Sequence, residues 1–132
     1  NTMDLGTGEL TMSFGRDVIS GTFTSGGNIP RLNPARNIFK LKYSQDDMTL
    51  DLNFKDVEKQ NDIAVNETLT AGYQMLNAKL SRTIDLGSQG KLTLSLFGNN
   101  MLDEIARNHS SFVKDQVPLP GRNIGLRFNM KF

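Results

Sequence analysis

The chain carries one histidine, His109, and a scatter of carboxylates, so any catalytic or metal chemistry has to be built from those. No second His and no Cys stands at metal-ligand spacing from His109, and a lone loop histidine is expected to be a hydrogen-bonded surface residue rather than a ligand. Asp46, Asp47, Asp51 and Glu58 suggest paired carboxylates at first sight. The first two are adjacent in a turn and the others are spread along a strand and a loop, so all four are expected to be solvated. Gly26-Gly27 and Gly6-x-Gly8 are turn glycines, and no helix follows either pair as a phosphate cradle requires. No Ser/His/Asp set has the context of a nucleophilic triad. The chain is therefore read as a non-enzyme with no catalytic residue, no metal site and no cofactor.

The elements that carry these residues read as strands. The segment GRNIGLRFNMKF, 121–132, puts Ile124, Leu126, Phe128, Met130 and Phe132 on one parity, with Asn123, Gly125, Arg127, Asn129 and Lys131 on the other. KLTLSLFGNN repeats the pattern, with Leu92, Leu94 and Leu96 against Lys91, Thr93, Ser95 and Asn99. MLNAKLSRTI, extended backwards through ETLTAGYQ, MTLDLNFKD and IFKLKYS supply three more strands. A strand over roughly Glu9 to Thr24 changes phase near GRD, which predicts a bulge near Gly15. The fold class is all-β: an antiparallel meander of about six strands with a remnant at Thr2 to Leu5, in one segment spanning 1–132.

Composition narrows the setting. Fifteen Lys+Arg against fourteen Asp+Glu leave a net charge of +1, so no nucleic-acid partner is implied. The absence of cysteine removes disulfides and thiol chemistry. No run approaches the ~18 apolar residues of a membrane helix, so a membrane crossing has to be made by strands. The start, NTMDLGTGEL, lacks the pattern of a signal peptide, which predicts a processed or excised piece. Connections alternate short (4–8, 44–47, 85–90) and long (25–36, 56–67, 100–122), which in a meander places all tight turns at one end of the sheet. Outer-membrane barrels have that segregation, with the apolar parity facing lipid and the polar parity a wet lumen. A soluble lipocalin-type barrel writes the same alternation with the apolar face inward, and a passive porin-like barrel also remains open.

Four stretches resemble motifs of TonB-dependent outer-membrane receptors. They are an N-x-L-D-E stretch from Asn100, an R-x-H-x-S-x-x-K-D loop from Arg107, a P-L-P-G-R entry at 118–122 and a last strand ending on Phe132. GGNIPRLNPAR and NETLTAGYQMLNAKLS resemble further motifs of that family, and the resemblance covers roughly 9–132. It implies a C-terminal portion of such a receptor's barrel, without the plug domain and earlier strands, in the bacterial outer membrane. The function implied is import of a scarce nutrient: a metal chelate, haem or a metal ion. The implied partners are outer-membrane lipid, a TonB complex reached through the missing N-terminal part, the barrel assembly machinery and a small nutrient ligand. Leu92, Leu94, Leu96, Ile124, Leu126, Phe128 and Met130 are then expected to face lipid. Thr93, Ser95, Asn123, Arg127, Asn129 and Lys131 are expected to face the lumen, and Phe132 to be an assembly signal. The resemblance names no substrate-binding residue. Asn66-Glu-Thr68 and Asn108-His-Ser110 match the glycosylation pattern, which carries no meaning in that compartment.

Overall fold

The computed structural model describes residues 1–132. Seven strands form one antiparallel sheet in strict sequence order: β1 (Thr2–Asp4), β2 (Glu9–Asp17), β3 (Arg36–Gln45), β4 (Met48–Val57), β5 (Tyr73–Asp85), β6 (Lys91–Asn99) and β7 (Asn123–Lys131). The only helical element is a 3-10 turn, Gly87–Gln89. The sheet is open, with β1 and β7 as its edges.

Every ladder keeps one register from end to end. Glu9 faces Ser44 and Asp17 faces Arg36 with each pair between in step, so β2 carries no bulge at Gly15. Instead of bulging, β2 stops at Asp17, and Thr22 makes only an isolated bridge to Asn28 within the following loop. The proposed extension of β5 through ETLTAG also fails: Thr70 bridges back to Gln60, and the ladder begins at Tyr73.

Constant register carries the parity of each strand across the whole sheet. One row reads Met12–Leu41–Leu52–Ala78–Gly98–Ile124 and the next Leu10–Tyr43–Leu50–Leu80–Leu96–Leu126. At the loop end a further row reads Phe14–Phe39–Phe54–Leu76, with ring centroids 4.8 Å and 6.1 Å apart. The opposite face carries Thr11–Lys42–Asp51–Lys79 and Glu9–Ser44–Thr49–Ser81–Ser95–Arg127.

Tight turns close one end. Asp46 takes a left-handed φ of 48° in the two-residue turn between β3 and β4. Gly90, at φ 101° before β6, would drive a Cβ into the carbonyl of Lys131, so only glycine fits there. The other end holds three long loops, 18–35, 58–72 and 100–122. The expected segregation of short and long connections is thus present.

Burial is inverted relative to a soluble domain. The only buried hydrophobic side chains are Val57 and Ala106, whereas Gln60, Thr70, Ser95, Asn100, His109 and Lys114 are buried. Phe14, Ile124, Leu126 and Phe128 are each more than 60% exposed, so the chain's own residues leave much of the apolar face uncovered.

Candidate functional site

The buried polar groups lie where the three long loops meet. His109, on the third loop, is 2% exposed, which corrects the expectation of a surface residue. Its Nδ1 lies 2.7 Å from Thr70 Oγ1 and 3.1 Å from Lys114 Nζ. An ammonium can only donate, so Nδ1 accepts and the ring proton sits on Nε2. That nitrogen is 3.1 Å from Glu67 Oε1 but too far out of line to complete a hydrogen bond.

Each partner is tied in turn to a different loop. Glu67 Oε1 accepts the backbone N–H of Arg31 at 2.9 Å, and Oε2 that of Ala64 at 3.0 Å. Lys114 Nζ donates to the carbonyl of Thr68 at 2.6 Å, and Thr68 Oγ1 donates to Asp115 at 2.9 Å. The Arg31 guanidinium sits 3.1 Å from the centroid of the Phe112 ring, a cation–π contact. Gln60 Nε2 reaches the carbonyl of Leu32 and Asn28 Nδ2 that of Ile63. Together these bonds make one cap from segments dozens of residues apart.

Electrostatics keeps the cluster in one protonation state. Burial, together with the ammonium of Lys114, pushes the His109 pKa below its ordinary value despite the opposing pull of Glu67. For Glu67, burial pushes upward, but the two backbone N–H donors with His109 and Lys114 outweigh it and hold the carboxyl below its usual range. The result is a neutral imidazole between an ammonium and a carboxylate. Its bonds tie the three loops into one structural knot.

The base of the third loop is pinned separately. Asn100, at φ 50° and 1% exposed, donates its amide to the carbonyls of Glu104 and Pro120 and accepts the N–H of Glu104. Its own N–H donates to Asn77 Oδ1 on β5. Asp103 Oδ1 accepts the N–H of Arg122 at 3.0 Å, closing the loop's two ends.

Below the loops the polar sheet face is a hydroxyl and amide surface set with charges. Ser81 and Ser95 hydroxyls meet at 3.0 Å, those of Thr83 and Thr93 at 3.1 Å, and Asn99 donates to Asn123 at 3.0 Å. Thr93, Ser95, Asn123, Arg127, Asn129 and Lys131 all share this face. Leu92, Leu94, Leu96, Ile124, Leu126, Phe128 and Met130 share the other. Several residues break the simple pattern, with Ile38, Val57, Tyr73 and Met75 on the polar face towards the loop end. Phe97 falls on the polar face, its ring over Gly125 with the Arg127 guanidinium 5.6 Å from its centroid. Arg82 falls on the apolar face near the turn end, where Asp47 holds it at 3.1 Å. Of the carboxylates read as solvated, Glu58 is paired with Arg16 at 2.7 Å.

Phe132 lies just past β7 and is 94% exposed. No family model matches the chain.

Proposed function

We propose that this sheet is part of the wall of an outer-membrane β-barrel of the TonB-dependent receptor type, taking part in import of a scarce nutrient such as a metal chelate, haem or a metal ion. The observation that carries the reading is the inverted burial: large apolar side chains cover an exposed face, while polar groups are packed among the loops. In water such a face is unfavourable, since soluble monomers keep contiguous apolar patches to roughly a few hundred Å². In lipid it is the expected surface.

The borders of the apolar band support the same reading. At the loop end the apolar parity gives way to the row Arg16–Asn37–Asp56–Gln74, joined by hydrogen bonds from Arg16 to Asn37, Asn37 to Asp56 and Gln74 to Asp56. On β3 the band ends at Tyr43, whose hydroxyl donates to Gln45 at 3.0 Å. On β7 it runs on to Met130, two rows nearer the turn end, and starts one row later at Ile124. A slanted band is what tilted strands need. With strands roughly 4.8 Å apart and tilted by about 40°, a level membrane plane slides along the chain by about one residue per strand. Across the four steps from β3 to β7 the observed slide is two to four residues.

In this reading the polar face lines a hydrated lumen, the loop cap faces outward, and Phe132 is read during assembly. Outer-membrane lipid, the assembly machinery and a TonB complex are the partners, and the bacterial outer membrane is the location. The motif resemblance between residues 9 and 132 supports the receptor type. Sedimentation of the refolded chain tests the lipid face. Aggregation in buffer and monodispersity only in detergent are expected, and a monodisperse monomer without detergent overturns the proposal.

A further inference from the structure

Between the loop cap and the polar face lies a cleft of about 270 Å³ whose charged lining residues are all basic. Arg36 of β3, Lys55 of β4 and Arg107 of the third loop line it, beside Tyr73, Asn108 and Ser110, and no carboxylate does. The two arginines are held in place from outside. Asp17 engages the Nε and Nη2 of Arg36 through one oxygen, at 2.8 Å and 2.7 Å, leaving Nη1 free. Arg107 spends Nη1 on the carbonyl of Lys114 at 2.6 Å. Lys55 has no carboxylate within ion-pair distance and no side-chain hydrogen bond. On the face below, Lys40, Lys42 and Lys79 surround Asp51 without forming an ion pair.

Asp17 neutralises Arg36 only from outside the cleft and Lys55 and Arg107 have no carboxylate partner, so an oxyanion in the cleft accepts from those two and from the free Nη1 of Arg36. Guanidinium groups suit carboxylate and phosphate because their N–H groups match the spacing of the oxygens. The volume approaches the lower end, about 300 Å³, of small-molecule sites, and loop residues from Asn33 and Pro34 to Asn108 and Ser110 line its upper side. We propose that this cleft binds a small solute through a carboxylate or phosphate group held by Arg36, Lys55 and Arg107. The site stands whichever medium covers the apolar face.

Titration calorimetry of the chain in neutral maltoside micelles tests this, with inorganic pyrophosphate and malonate as probes and a hexaglutamate peptide as the polymeric acid. Saturable binding of at least one small probe, weakening as sodium chloride rises, is expected. Lys55→Gln removes a cation that bonds to nothing in the protein, so the fold is kept, and it should weaken that binding by about tenfold. Lys55→Arg should restore it. Lys91→Gln, on the same face at the turn end, should change it less than twofold. Absence of saturable binding by the unmodified chain overturns the proposal, as does equal weakening by Lys55→Gln and Lys91→Gln. Tighter binding of hexaglutamate than of either small anion overturns it too, by making the surface a polypeptide seat.

Discussion

Thr70 Oγ1 and His109 Nδ1 lie 2.7 Å apart although 39 residues separate them, and both are buried. This bond, with Lys114 and Glu67 beside it, joins the second long loop to the third, while Glu67 reaches the first through the N–H of Arg31. The loop cap is therefore one cooperative unit resting on a few polar contacts, with almost no hydrophobic core beneath it.

Glu67→Gln should loosen all three loops together. It removes the charge facing His109 and Lys114, and an amide cannot accept at both positions now bonded to Ala64 and Arg31. The Arg31 bond is exposed and the Ala64 bond part-buried, so the unpaired donor costs less than the roughly 1–3 kcal/mol of a fully buried one. Hydrogen exchange should quicken at residues 28–31, 63–70 and 106–115 and stay unchanged in the β4–β5 ladder. Exchange that rises only next to position 67 would mean that the loops are independent.

Acid should open the cap in two stages. The folded pKa of His109 lies below its ordinary 6.5, so the unfolded loop binds the proton more readily and cap stability falls as pH drops below 6.5 towards the folded value. The groups facing it are Lys114, which resists protonation, and Glu67, which favours it, with Asp115 and Arg107 further out on the same loop. Glu67, also depressed, contributes stability that is full above 4.5 and lost as pH falls through its lower folded value. Loop protection factors, with each rate referred to the intrinsic rate at its pH, should fall across the first window between pH 7.5 and 4 in the parent and not in His109→Gln. An identical profile in both would remove His109 from the switch.

Much of the sheet was legible because strand parity is local: alternation within ten residues decides which face Leu94 or Thr93 joins, and constant register does the rest. The loop knot was not. His109, Glu67 and Lys114 have no periodicity, and a single histidine in a polar stretch reads as surface until distant loops fold over it. The quoted motifs did mark these residues, since E-T-x-x, P-R and R-x-H-x-S-x-x-K-D meet in that knot, and N-x-L-D-E meets P-L-P-G-R through Asp103 and Arg122. The cationic cleft escaped for another reason. A net charge of +1 averages over both faces and all loops, and hides that Arg36, Lys55 and Arg107 line one cleft whose walls hold no acid.

Removing Phe132 should leave the folded sheet intact, because the residue is 94% exposed and outside β7. If it is an assembly signal, its deletion lowers the amount reaching the outer membrane several-fold without altering ligand affinity of what arrives. Normal levels in membrane fractions would end that assignment.

Face identity is tested most directly on β5 and β6. Leu80 and Lys79 are neighbours on opposite faces near mid-strand, both exposed, and the chain has no native cysteine to interfere. Single cysteines there, in reconstituted vesicles, should divide: a probe at 80 quenched from within the bilayer, one at 79 reached by a water-soluble reagent. On β6, Leu96 sits in the wholly apolar row with Leu80 and Leu126, whereas Leu92 stands at the turn-end edge of the band, between Ile84 and Met130. Arginine on a lipid face costs roughly 2–4 kcal/mol at the midplane and about 0–1 near the interface, so Leu96→Arg should cost more than Leu92→Arg in a membrane. A protein core gives no such gradient, because each buried charge is penalised by its own packing rather than by depth. Equal costs at 92 and 96, together with a probe at 80 sealed from lipid, would sink the membrane-wall reading and the transport function resting on it.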